Sequence, residues 1–201
     1  MRRLAIALAG LLCSAAVNAA PLDNGSIRYA AYNDPLFSGY NQPDDSDYFR
    51  PQATVAEPRQ LVQFDRKFAP GTIVVSTAER RLFFVTARGE AIQYSVGVGR
   101  PGFTWAGTKS VSMKREWPDW RPPAEMLRRR PDLPRYMPGG PENPLGARAL
   151  YLGSSLYRIH GSNEPETIGQ AVSSGCIRMT NEDVVDLYQR VRVGARVVVL
   201  Q

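Results

Sequence analysis

The chain has 201 residues, 43% of them hydrophobic and 22% charged, which suits one globular domain with accessory segments. Its formal charge of +6 is uneven: residues 20–60 carry six acids against three bases, and residues 61–201 carry 20 bases against 13 acids. No apolar run approaches the roughly 20 residues that a membrane-spanning helix needs, which excludes a transmembrane segment in the mature chain.

Residues 1–19 read as a cleavable signal peptide. Arg2 and Arg3 form a basic start, residues 4–12 are apolar, and Val17-Asn18-Ala19 supplies small residues at a cleavage point after Ala19. The bulky Leu12 before Cys13 argues against a lipid anchor at that cysteine. Cleavage removes Cys13 and leaves Cys176 as the only thiol, so the mature chain forms no internal disulfide. Export places the protein in the periplasm, argues against nucleic acid as a partner of the basic domain, and favours an anionic envelope polymer or surface.

Residues 20–60 are rich in Pro, Asp, Asn, Gly and Tyr and show no periodicity, which predicts a flexible spacer. From Leu61 the texture changes. The β-branched and aromatic runs 72–76, 81–86 and 91–98 are separated by short polar turns and predict antiparallel hairpins. Residues 115–146 form a proline-rich insertion carrying Trp117, Trp120, Tyr136 and Met137, either a flap over a site or local packing. Near the end, Asn181 is the expected cap of a helix with Glu182 and Asp183 in its first turn. Val184, Leu187, Tyr188 and Val191 recur at helical spacing, Gly194 is its expected stop, and "ARVVVL" is a closing strand. The expected fold is mostly β, with one or two short helices and the long flap.

The chemistry rests on one histidine, His160 in "YRIHGS", and on Cys176 in "SSGCIRM", sixteen residues later. An imidazole that takes a thiol's proton makes a nucleophile, so the pair predicts a thiolate–imidazolium couple. Gly161 and Gly175 flank the pair and let the backbone turn tightly, with amides free to face an oxyanion. Arg178 would hold a substrate carboxylate, or pair with Glu164, Glu166 or Asp183. Ser173 and Ser174 would hydrogen-bond substrate or form a turn, and Tyr136 would contact substrate from the flap.

The stretch "IHGSNEPETIGQAVSSGCIRMTNEDVVDLYQRV" resembles the signature of the L,D-transpeptidases with a YkuD catalytic domain: His-Gly, a spacer, then Ser-x-Gly-Cys followed by Ile-Arg. The resemblance runs upstream through "GTIVVSTAERRLFFV", "YSVGVGRPGFTWAGT" and "PENPLGARALYL", covering residues 61–201. Ser174 stands where many relatives have a second histidine. The resemblance implies a YkuD β-sandwich, no metal or organic cofactor, and peptidoglycan stem peptides as partners. It implies that Cys176 attacks the carbonyl of residue three of a tetrapeptide stem, releasing D-alanine. An amine from a second stem or an outer-membrane protein then resolves the thioester. It further implies that the Gly161 carbonyl orients His160, that Gly175 and Cys176 amides form the oxyanion site, and that carbapenems acylate Cys176. Two other readings stay open: a stem-peptide cysteine peptidase, disfavoured because His160 precedes Cys176, and a non-catalytic peptidoglycan-binding module.

Overall fold

A computed structural model describes residues 56–201. The expected signal peptide (1–19) and nearly all of the expected spacer (20–60) lie outside the described residues. Within that spacer, Glu57 pairs with Arg81 at 2.8 Å, and Arg59 reaches Asp183 at 3.0 Å. Residues 57–59 are therefore already fastened to the folded domain.

The strands in chain order are β1 (Gln60–Gln63), β2 (Ile73–Ser76), β3 (Arg81–Ala87), β4 (Glu90–Ser95), β5 (Val98–Gly99), β6 (Gly107–Glu116), β7 (Arg148–Leu152), β8 (Arg158–His160), β9 (Ala171–Ser173), β10 (Ile177–Arg178) and β11 (Arg196–Leu200). Helix α1 (Ala124–Arg129) lies between β6 and β7, and α2 (Asn181–Arg190) between β10 and β11. Nine strands form one sheet in the order β1-β4-β3-β2-β11-β6-β7-β8-β10, and β5 pairs with β9 separately. The expected hairpins are present: β2 with β3 and β3 with β4, both antiparallel. The closing strand lies inside the sheet, parallel to β2 and antiparallel to β6.

The ten-residue strand β6 serves both halves of this sheet. Residues 107–110 pair with β11 and residues 111–116 with β7, with a register shift at Val111/Met113. A bulge there lets the strand bend, and side chains from both halves meet in one core. Ile73 and Val75 of β2, Tyr94 of β4, Leu150 and Leu152 of β7, Ile159 of β8 and Val197 of β11 all pack in it, with Leu187 of α2. Alternation sends Val74 to the opposite face, where it joins Phe83 and Ala91 under Phe64 and Phe68.

Helix α2 forms where its apolar spacing predicts, with Val184 and Leu187 buried, but both its ends differ from expectation. The cap is Thr180, in extended conformation, whose hydroxyl accepts the Asp183 N–H. Asn181 is the first helical residue, and its Oδ1 accepts the Ala147 N–H at 2.9 Å. The helix ends at Arg190, with Val191 extended, and Lys114 Nζ donates to the Tyr188 and Val191 carbonyls at 2.6 and 2.8 Å, giving the negative helix end a cation. Gly194 (φ 90°) lies beyond the end and makes the turn into β11.

The insertion is more structured than its prolines suggest. Strand β6 takes Arg115 and Glu116, and α1 starts after Pro122-Pro123, where a missing N–H is no loss. Trp120 and Met137 exchange two backbone hydrogen bonds of 2.8 Å across the base of the loop. The buried Asn143 amide donates to the Pro118 and Pro138 carbonyls at 3.0 and 2.8 Å, and its Oδ1 accepts the Leu145 N–H. One side chain thus satisfies backbone groups that no ladder reaches. Asn143→Ala is expected to destabilise the domain by about 1–3 kcal/mol, since buried carbonyls lose their donor; thermal unfolding against wild type measures it.

Candidate active site

His160 and Cys176 reach one cavity through the pairing of two short strands. β8 and β10 run parallel with Ile177 opposite Ile159 and Arg178 opposite His160. Ile159 and Ile177 point into the core. Successive side chains on a strand alternate, so Arg158, His160, Cys176 and Arg178 share the other side. All four line a cavity of about 730 Å³. Its far wall is the insertion, which contributes Trp120, Met126, Leu133 and Met137 among others. Asn163, just after the His-Gly pair, ties the two walls by donating to the Glu142 carbonyl at 3.1 Å.

The imidazole is held in one orientation. His160 is buried, and its Nδ1 lies 2.6 Å from the Gly161 carbonyl, so Nδ1–H donates and Nε2 is the free acceptor. Gly161 is glycine for lack of space: an added Cβ would strike Asn181 Oδ1. Asn181, expected as a helix cap, instead packs beneath the base.

Cys176 sits in a turn fastened at three points. Gly175, at φ 107°, adopts a conformation that favours glycine, and a Cβ there would come within 2.6 Å of the Tyr157 ring. Its carbonyl accepts Trp105 Nε1–H at 2.9 Å. The buried Ser173 hydroxyl donates to the Cys176 carbonyl at 2.6 Å and accepts the Gly175 N–H at 3.1 Å. The Gly175 amide is thus engaged inside the turn rather than open to an oxyanion, which leaves the Cys176 amide as the candidate donor. Ser173 acts by shaping the turn. Ser174 lines the cavity and accepts from Arg100 at 3.4 Å.

Two more expected contacts are placed. Arg178 makes the ion pair with Glu164, at 2.9 Å, while still lining the cavity. Tyr136 is exposed and lies outside the cavity lining, with the Arg121 guanidinium 4.5 Å above its ring. The structure therefore does not bring it to Cys176.

Electrostatics correct the expected ion pair. Burial, then the charge of Arg178 and Arg158, lowers the His160 pKa to about 3, against a smaller upward pull from the Gly161 carbonyl. Burial likewise pushes the Cys176 thiol up, with the Arg158 backbone N–H, then the Arg158 guanidinium, then the charge of Arg178, pulling it back. Both groups are therefore neutral near pH 7: the thiol keeps its proton and donates to the Leu156 carbonyl at 3.7 Å. A neutral imidazole with Nε2 left as acceptor has the chemistry of a general base and does not match a preformed thiolate–imidazolium couple.

Sequence reasoning missed Trp105 and Tyr157. Their rings stack at 4.8 Å and 7°, with Lys109 Nζ within 6 Å of both ring centres, and together they support the Gly175 turn. The only sequence signal was a pair of aromatics beside glycine-bearing stretches. Trp105→Phe keeps a ring and removes the N–H; stability should fall by about 1 kcal/mol. Alkylation of Cys176 by iodoacetamide should slow roughly tenfold, because the turn that carries the thiol is displaced while the cavity persists.

Comparison with known proteins agrees with this geometry. Residues 70–199 match the model of the YkuD L,D-transpeptidase catalytic domain. The probable L,D-transpeptidase ErfK/SrfK of Escherichia coli K12 is 35% identical over 184 residues, covering 85% of this chain and 57% of that protein. The probable L,D-transpeptidase YbiS of the same strain is 40% identical over 134 residues, 62% of this chain and 43% of that one. The chain thus spans about half the length of the curated relatives it matches. Among solved structures, L,D-transpeptidase 3 from Mycobacterium tuberculosis with a faropenem-derived adduct shares the fold at TM-score 0.52 and 18% identity, over 65% of this chain and 60% of that one. With His-Gly and Ser-x-Gly-Cys brought onto one cavity of a matching fold, the chain belongs to the family of YkuD L,D-transpeptidase catalytic domains.

Proposed function

We propose that this protein is an L,D-transpeptidase acting on peptidoglycan tetrapeptide stems through a thioester on Cys176. The observation that carries the reading is the convergence of Cys176 and a base with one free nitrogen, His160, on a cavity large enough for a peptide. Neutral His160 takes the thiol proton as sulfur attacks the carbonyl of residue three. The Cys176 amide faces the oxyanion, and D-alanine leaves with the proton from His160. An acceptor amine then attacks the thioester and releases the thiol. The acceptor is a second stem, giving a 3→3 cross-link, or the amine of an outer-membrane protein. The insertion acts as a lid that keeps water from the thioester. Export by residues 1–19, with a spacer that gives way to the folded domain by residue 57, delivers the enzyme to the periplasm, where stems are found.

The direct test incubates the purified protein with tetrapeptide muropeptides and analyses the products by mass spectrometry. The expected result is release of D-alanine with a new cross-link; release without any amine adduct would identify a peptidase instead. A second check uses the strained β-lactam ring of a carbapenem, because one relative by fold is seen with an adduct derived from faropenem, a penem whose ring is strained in the same way. Meropenem is expected to add its mass to Cys176, and an active enzyme without that shift counts against the reading.

A further inference from the structure

Arg158 stands closer to the reacting sulfur than any role so far gives it. In the parallel register of β8 and β10, Ile177 faces Ile159 and Arg178 faces His160. One residue back along that register, Cys176 faces Arg158, and neighbouring strands lie about 4.8 Å apart. Both residues also converge on a single acceptor. The Leu156 carbonyl takes the Cys176 thiol at 3.7 Å and Arg158 Nη1–H at 3.1 Å. The rest of the guanidinium is held by the Tyr151 ring, 5.0 Å from its centre. Its Nε is buried without a hydrogen-bond partner, the one such side-chain atom among the described residues. A buried donor left unpaired is costly and calls for an explanation.

We propose that Arg158 is the counter-ion of the Cys176 thiolate, its unpaired Nε–H reserved for the sulfur once the thiol proton has gone to His160. This rests on the reading of Cys176 as nucleophile and adds a residue to it. In the resting site the thiol donates to the Leu156 carbonyl and the guanidinium has nothing to neutralise. When His160 Nε2 takes the proton, sulfur becomes an acceptor and the Arg158 N–H becomes its partner. The same contact receives the sulfur when an acceptor amine expels it from the thioester and the C–S bond breaks. This division of labour fits a base that is hard to protonate: a permanent cation holds the negative charge while the imidazole only relays the proton. Among the other charged groups facing the cavity, Arg178 on β10 also draws the thiol down but is tied to Glu164, His160 on β8 is neutral, and Glu125, Arg129 and Arg130 face it from the insertion.

The test is the pH dependence of Cys176 alkylation by iodoacetamide, which needs no peptidoglycan and no turnover. Arg158→Met should raise the apparent thiol pKa by about one unit or more, the usual size for losing a nearby opposite charge. Arg158→Lys, which restores the charge without the fork, should recover part of the shift. Repeating the pair in a His160→Ala background removes the imidazole as a source, and the shift should persist. Alkylation profiles unchanged by Arg158→Met in both backgrounds, with circular dichroism showing the variants folded, would overturn the proposal. Should Arg158→Met fail to fold, Arg158→Lys carries the test: it must lie above wild type. A pKa shift without any transfer to muropeptides would leave Arg158 as the thiolate partner and sink the transpeptidase reading instead.

Discussion

Cys176→Ser is expected to reduce release of D-alanine from tetrapeptide stems by about 10³-fold or more while the domain stays folded. A serine hydroxyl fits the space of the thiol, and the turn around it is held by backbone and Ser173 contacts that the change leaves alone. What is lost is chemistry. With its pKa lowered by burial, His160 is a weak base that can assist a thiol far better than an alcohol. Melting temperature and stem turnover measured on one preparation check both halves. A folded variant with wild-type turnover would remove Cys176 from the mechanism.

His160→Ala should cost about 10²–10⁴-fold in transfer, the range general-base catalysis supplies. The pH behaviour is the sharper measurement. A preformed thiolate–imidazolium pair would keep alkylation fast well below pH 7. With His160 lowered to about 3 and the thiol pushed up, wild-type alkylation should instead climb only in the alkaline range. Stability carries the same signature. A histidine neutral when folded but able to bind a proton when unfolded makes the native state lose ground as pH falls from the ordinary histidine value of about 6.5 toward 3. His160→Ala should flatten that part of the stability curve, as measured by denaturant unfolding at several pH values. A flat curve already in wild type would mean that His160 is not buried as described.

The strands around the core were legible because their residues alternate or run apolar over short lengths. The 72–76 and 81–86 runs became β2 and β3, paired as a hairpin. The place of β11 was not legible, since "ARVVVL" suits an edge, a central strand or either direction alike. The Thr180 cap was missed in favour of Asn181 because both residue types cap helices; what separates them is the Ala147 amide, which claims the Asn181 oxygen from far along the chain. That His160 and Cys176 line one cavity was legible from their two motifs, and the Gly161 carbonyl beside His160 was what the family resemblance implied. The charge state was not legible, because it depends on burial and on Arg158 and Arg178, which the register of two short strands brings beside the pair. Trp105 was hidden for the same reason: its partner, the Gly175 carbonyl, lies 70 residues away.

Strand β11 follows every other strand in chain order yet lies between β2 and β6. Until it docks, the sheet is two unfinished pieces, each with an unpaired edge, and β2 must wait for a partner more than a hundred residues further on. Closing so long a loop is entropically unfavourable before any contact offsets it, which marks a slow folder. The exposed edge of "IVVS" in that interval is a template for pairing between chains. A chaperone that shields nascent strands should therefore raise the yield of this domain more than it would for one whose strands close in order.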